Sequence, residues 1–300
     1  MTVIDIDGDA LDEQFDRLKL GMIRYARSWW IEDEGARARW EADPALYSHL
    51  YAQVQSGRMV RTADVHRTPG KAWLHPRPVI HSAIVSKLLQ GCEPVVDTDR
   101  PPAFLLFGGP GSGKSSSLRP LVSRAGTVAP VPLDADDVRV ELPEYAGGPG
   151  SEVVQEECSF VTYGELRETF LSGTPNHAGV CIDIIGDPQY VLDDWRSLDR
   201  AGYRVYALVA ECPIDQAVER IKRRAVQTAR IVDVEFAKTV GDRPRKALEA
   251  LLLAHDAGDV ELAGWGVFDT SDSQFKGAPT VIDGDGTFGS VGSAAMKLAS

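Results

Sequence analysis

The sequence predicts an α/β chain in which a parallel sheet, with helices on both faces, follows an α-helical N-terminal region. Three observations carry this. From residue 103 on, short apolar runs alternate with helical stretches, the pattern of βαβ units. The first run, Ala103-Phe104-Leu105-Leu106-Phe107, leads straight into Gly108-Gly109-Pro110-Gly111-Ser112-Gly113-Lys114-Ser115. Residues 9–90 instead carry their apolar positions largely at helical spacing.

Leu11, Phe15, Leu18, Met22, Ile23 and Ala26 predict a helix over 9–30, with Trp29 and Trp30 at its end. A second helix is expected over 44–56, with Pro44 in its first turn. Residues 56–76 are polar and turn-rich, and 75–90 read as an amphipathic helix ended by Gly91. Residues 1–92 therefore form the helical region. The stretch 93–102, with Pro94, Pro101, Pro102 and the acids Glu93, Asp97 and Asp99, reads as a linker, and 103–300 as the α/β domain.

Within that domain strands are expected at 104–107, 128–133, 178–184, 203–209, 265–269 and 279–282. Helices are expected at 115–122, 136–142, 151–172, 190–201, 213–229 and 234–257, the second of them stopped by Pro143. Ala146-Gly147-Gly148-Pro149-Gly150 is a connector or, on a sharper reading, a flap over a binding site.

The chain has 300 residues, 43% hydrophobic and 25% charged, which suits a globular enzyme of one or two domains. Its net charge of −12 disfavours nucleic acid as a partner, since duplex binders present a basic face. A compact anion such as ATP needs only one local cationic pocket. Cys92, Cys158, Cys181 and Cys212 form no C-x-x-C pair and no zinc spacing with histidine, so reduced thiols are expected. His66, His75 and His81 are the one loose group of histidines, and a packing role is expected for them rather than a metal. With no leader-like segment and no apolar run of membrane-spanning length, the expected location is the cytoplasm, with no membrane partner.

Gly108, Gly113, Lys114 and Ser115 occupy the fixed positions of G-x-x-x-x-G-K-[ST], the P-loop, so the fold class is the P-loop NTPase type. The pattern is mechanical. A buried strand delivers the chain to a glycine-rich turn whose N–H groups point inward, and the following helix adds its own N-terminal N–H groups and partial positive charge. Gly108, Gly109, Gly111, Ser112, Gly113, Lys114, Ser115 and Ser116 are the expected cradle for ATP. Lys114 is expected on the β- and γ-phosphates and the Ser115 hydroxyl on Mg2+.

Acids at strand ends complete the pattern. Asp136, in Leu133-Asp134-Ala135-Asp136-Asp137, is the candidate general base for an acceptor hydroxyl. Asp134 stands beside it on the acceptor side, as a helix cap or a group on magnesium-bound water. Its strand is expected beside the P-loop strand. Asp183, closing Ala-Gly-Val-Cys-Ile-Asp, is a magnesium partner or an acceptor of substrate hydrogen bonds. The most basic run, 219–230, follows the fourth strand, and Arg220 and Arg230 are its candidate phosphate clamps, with Arg223 and Arg224 able to substitute.

Taken together, Gly-Gly-Pro-Gly-Ser-Gly-Lys-Ser, then Leu-Asp-Ala-Asp-Asp with Leu142-Pro143-Glu144-Tyr145 nearby, resembles the zeta-toxin family of P-loop kinases. The segments 162–170, Asp183, Glu219-Arg220 and Thr228-Ala229-Arg230 are similar too, so the likeness spans about 75–230 and more loosely runs to 283. It implies an ATP- and Mg2+-dependent kinase that phosphorylates a sugar hydroxyl of UDP-N-acetylglucosamine or a related UDP-sugar, in many members restrained by a small helical antitoxin. Carried onto this chain, it implies Lys114 and Ser115 for ATP and Mg2+, and Asp136 as base. Glu168 and Asp183 become substrate contacts, with Arg220 and Arg230 on the phosphates. One departure bears on the acceptor rather than on phosphoryl transfer: Asp183-Ile184-Ile185-Gly186 stands where the family carries an acid followed by Gly-Thr-Gly.

Two other classes stay open on the residues alone. One is a different P-loop kinase, acting on an antibiotic, a nucleoside or a polynucleotide 5′ end. The other is an ATP-binding switch without a small substrate, which has no need of Asp136. A GTPase is disfavoured because no Asn-Lys-x-Asp occurs.

Overall fold

A computed structural model describes residues 8–92, 100–124, 129–172, 178–271 and 279–287. Residues 93–99 of the expected linker and Val128 of the second expected strand lie outside them. Residues 8–90 hold five helices: α1 (Gly8–Glu32), α2 (Glu34–Ala42), α3 (Pro44–Gln55), α4 (Thr62–His66) and α5 (Arg77–Leu88). Caps set these ends. Asp33 accepts from Ala36 N at 2.7 Å, and Asp43 accepts from Ala45 N and Leu46 N. α2 went unread in the sequence because Ala36 is its only buried residue, too little for a helical stripe.

β1 (Pro102–Phe107) leads to a π-helical turn at Lys114–Leu118 that runs into α6 (Arg119–Ser123). β2 (Val131–Leu133), α7 (Ala135–Arg139), a 3-10 turn at Pro143–Tyr145 and α8 (Gln155–Phe160) follow. A second π-helical turn at Val161–Leu166 precedes α9 (Arg167–Leu171). Next come β3 (Val180–Ile184), α10 (Val191–Arg200), β4 (Arg204–Glu211) and α11 (Ile214–Thr228). The expected helix over 234–257 is two: α12 (Val234–Val240) and α13 (Arg243–Asp256). Gly241 breaks it with φ +54, and Pro244 sits in the first turn of α13. β5 (Gly264–Asp269) and β6 (Thr280–Gly284) are the last elements among the described residues.

The chain forms two compact units, neither continuous in sequence. The sheet unit holds 91–134, 167–220 and 233–300, and the helical unit 1–90, 135–166 and 221–232. In the sheet unit the strands stand in the order β2-β3-β1-β4-β5-β6, parallel except for the antiparallel β5–β6 edge pair. β1 is thus flanked by β3 and β4. The expectation that β2 neighbours it is corrected, because β3 crosses over to lie between them. Both sheet faces are covered. Phe104 and Leu106 pack with Leu118 and Val122 on one side. On the other, a Cβ placed on Gly186 would meet the Phe107 ring at 3.0 Å and Ala247 of α13 at 3.2 Å. This is the period-two alternation of a doubly covered sheet.

The helical unit has its own core of Trp29, Trp30, Leu50, Val60, Val138 and Val161 with their neighbours. Trp29 Nε1 donates to Val60 O at 2.7 Å, so its polar edge is satisfied inside. Buried beside this core is a charged network. Arg77 donates to both oxygens of Glu144 and of Glu157, and His81 Nε2 lies 2.6 Å from Glu157 Oε1. Burial alone raises a carboxyl, but His81 and Arg77 outweigh it and bring Glu157 down to about 2. Burial, and next Arg77, push His66 down to about 4, so its ring is neutral at neutral pH. Residues 146–150 behave as a packed connector: Gly148 and Gly150 are buried, and a Cβ on Gly148 would lie 2.6 Å from Ala229 Cβ.

Candidate functional site

The phosphate loop takes its shape from β1, which ends at Phe107, and from the helix that starts at Lys114. Gly111 has φ +75, and a Cβ there would sit 2.3 Å from Ala217 O of α11. Gly113 has φ +94 and lies against Thr270. Both positions require glycine on two counts, left-handed backbone and close approach. Thr270 Oγ1 is within hydrogen-bonding distance of Ser112 O and Glu211 O. Arg220 donates to Gly111 O at 3.4 Å and to Thr270 O and Ser271 O at 2.7 Å each. The loop is therefore braced by Arg220 and from the ends of β4 and β5.

Lys114 Nζ donates to Gly108 O and, at 3.2 Å, to Gly109 O, which holds its charge over the loop. Ser115 Oγ donates to Asp183 Oδ2 at 2.9 Å. Arg119, one turn further along, donates to the same Asp183 oxygen at 2.9 Å and to Asp134 Oδ2. β2 and β3 are in register at Leu133 and Ile182, so their following residues, Asp134 and Asp183, stand side by side. Burial works against the Arg119 charge, yet Asp134 and then Asp183 outweigh it and raise its pKa above the ordinary arginine value. A hydroxyl and a carboxylate oxygen beside a helix N-terminus are hard donors of the kind Mg2+ takes, and the braced loop suits a polyphosphate. ATP and Mg2+ fit these residues.

Asp136 belongs to the helical unit. Its Oδ1 accepts from Arg139 Nη1 at 2.7 Å, its Oδ2 accepts from Arg230 Nη1, and Arg224 Nη1 is 4.0 Å away. Arg139 is 3% exposed and also donates to Gln155 Oε1, so it is a fixed partner. Arg230 reaches Asp136 because Ala229, at φ +55, turns the chain off the end of α11. Glu168 lies exposed on α9.

Two residues of these clusters were missed in the sequence. Arg119 had a readable signal, since it follows Ser115 by four residues and so shares its helix face. Arg139 had none beyond its place after Asp136. The sheet unit also holds a cavity of about 850 Å3 beside the loop, lined among others by Gly109, Pro110, Glu211, Cys212, Val240 and Asp269. Among the described residues no helix is long and apolar enough to cross a membrane.

The Zeta toxin family model matches residues 86–272. Among curated proteins none matches the chain. Similar solved structures include a chain of the PezAT chromosomal toxin–antitoxin system of Streptococcus pneumoniae, 13% identical. The match covers 69% of this chain and 80% of that one, with a TM-score of 0.51. Another comes from the AvrRxo1-ORF1:AvrRxo1-ORF2 complex with sulphate ions, 11% identical over 76% of this chain and 77% of that one, TM-score 0.56. At these identities the likeness is one of fold.

Proposed function

The chain belongs to the zeta-toxin family of P-loop kinases, and from that premise we propose that it uses ATP and Mg2+ to phosphorylate a hydroxyl of a small acceptor, a nucleotide sugar of the UDP-N-acetylglucosamine kind. The observation that carries this reading is the Ser115–Asp183–Arg119–Asp134 arrangement beside the phosphate loop. Ser115 and Asp183 would hold the metal ion, which would neutralise charge on the phosphates, with Asp134 beside them for its bound water. The loop N–H groups and Lys114 hold the phosphates, and Arg220, bonded to Gly111 O, adds a second charge to the loop. The cavity next to Gly109 and Pro110 supports a seat for the donor's nucleoside. ATP supplies the phosphoryl group.

Asp136 accepts the proton that the acceptor hydroxyl gives up as its oxygen bonds to the γ-phosphorus, while the bond from that phosphorus to the bridging β-phosphate oxygen breaks and ADP leaves with the electron pair. Arg139 keeps that carboxylate oriented, and Arg230 lends its charge to the transferring group. Glu168 and Asp183 contact the acceptor. That the similar PezAT chain comes from a toxin–antitoxin system supports a small protein partner that restrains the enzyme.

The test is incubation of the protein with ATP, Mg2+ and a panel of nucleotide sugars, nucleosides and oligonucleotides, followed by mass spectrometry. A gain of one phosphoryl group on a nucleotide sugar is expected. A gain only on an oligonucleotide or nucleoside, or ATP loss with no acceptor gaining mass, overturns the acceptor assignment.

A further inference from the structure

His66 is buried at 3% exposure, and neither of its ring nitrogens has a hydrogen-bond partner among the described residues. A buried polar group left in this state costs free energy, so each one asks for a ligand. Two carboxylates stand around this ring. One ligand atom each from Asp33, His66 and Glu144 lie within 4.8 Å of one another. Gly35 lies against two of these residues. A Cβ placed on Gly35 would come within 3.3 Å of Asp33 Oδ1 and 3.9 Å of His66 Cε1.

We propose that Asp33, His66 and Glu144 bind a divalent transition-metal ion of the Zn2+ class. The donor set, one imidazole and two carboxylates, selects for such an ion over Mg2+ and Ca2+, which take oxygen ligands alone. The other demands on the carboxylates leave room for it. Asp33 Oδ1 accepts the Ala36 N–H, and Arg77 takes one direction on each Glu144 oxygen. A carboxylate offers about four lone-pair directions. The local charge also suits a dication: around His66 the three acids Asp33, Glu144 and Glu157 outnumber Arg77 and Arg39.

The ion joins three segments of the helical unit: the α1–α2 junction, the end of α4 and the turn after α7. The last of these follows Asp136 by a few residues, so the metal is a positioning and stabilising device rather than part of the transfer step. With three protein ligands, water completes the coordination.

The test uses the full chain, stripped with chelator, nucleotide-free and in excess Mg2+, so that the phosphate-loop site does not report. Zn2+ is titrated calorimetrically and Co2+ serves as a spectroscopic probe. One equivalent of Zn2+ is expected, with Co2+ d–d bands typical of a nitrogen ligand. His66→Gln and Asp33→Asn should each weaken Zn2+ by at least about 100-fold, since even losing a group that only hydrogen-bonds to a metal ligand costs about 10–100-fold. Asp33→Asn is the safer variant, because Asn caps a helix as well as Asp does. Lys114→Ala should bind Zn2+ like the parent, which separates this result from the fate of the kinase reading. Absence of Zn2+ binding under excess Mg2+ overturns the proposal. So does binding that Asp33→Asn and His66→Gln leave unchanged.

Discussion

Ser115 Oγ donates to Asp183 Oδ2 across 2.9 Å, so the first turn of the phosphate-loop helix is tied to β3, the strand beside β1. The same Asp183 oxygen accepts from Arg119, which makes it the shared corner of a hydroxyl, a guanidinium and, in the kinase reading, a metal ion. Replacing Asp183 by Asn keeps the shape and removes the charge. A hydrogen bond to a charged group contributes about 1.5–3 kcal/mol, so the Mg2+ dependence of transfer should move to roughly ten- to hundredfold higher concentration. The measurement is rate against Mg2+ at fixed ATP. A profile matching the parent's would show that Asp183 serves the fold and not the metal.

Lys114 Nζ is held by the carbonyls of Gly108 and Gly109, over the loop. Lys114→Ala removes the loop's own cationic side chain without touching the glycines that shape it. Transfer should fall below detection while the far-UV spectrum and thermal midpoint stay near the parent's. Turnover close to the parent rate in this variant is incompatible with the proposed chemistry.

The glycine-rich loop was legible because everything it needs lies within eight consecutive residues. The strands beside the loop were legible for a similar reason, as β1 and the middle of β4 are unbroken apolar runs. Strand order was not, because the return of β3 between β2 and β1 is decided by crossover helices far from either strand. The break at Gly241 was hidden inside an otherwise helical stretch, where a lone glycine is often tolerated. His66, set apart in the sequence only as one of three scattered histidines, turns out to sit with Asp33 and Glu144, partners that no spacing rule links to it. Arg77 and Glu157, 80 residues apart, likewise become partners only through the packing of α5 against the segment after α8.

That buried pair has a pH consequence. Glu157 titrates at about 2 in the fold, below its ordinary 4.5, because His81 and Arg77 overcome the cost of burial. A depressed carboxyl stabilises the fold above its unfolded pKa, and the contribution fades as pH falls through the folded one. The window is therefore about pH 4.5 down to 2, and the contribution at neutral pH is on the order of 3 kcal/mol. Glu144 on the other side of Arg77 is raised by burial and works in the opposite sense, so the parent's curve alone mixes the two. Urea midpoints of the parent and Glu157→Gln against pH isolate the effect. The gap between them should be wide at pH 7 and close between pH 4.5 and 2. A gap that stays constant to pH 2 would mean that Glu157 does not hold its charge in the fold.

Asp136 is the sharpest test of the transfer chemistry. Arg139 and Arg230 hold its two oxygens, and Arg230 is also the proposed clamp on the transferring group. Asp136→Asn preserves the size of the side chain and its bond from Arg139, but it cannot take a proton. Transfer should drop by about 10²–10⁴-fold, the usual worth of a general base, with nucleotide affinity unchanged. Arg230→Lys should lower kcat with Asp136 intact, since a lysine keeps the charge and loses the planar fork. The readouts are single-turnover rates and the dissociation constant of a non-hydrolysable ATP analogue. Equal losses of affinity and rate in Asp136→Asn would make Asp136 an anchor for the Arg139–Arg230 cluster, and the base would have to be sought among the other acids of the Leu133–Asp137 segment.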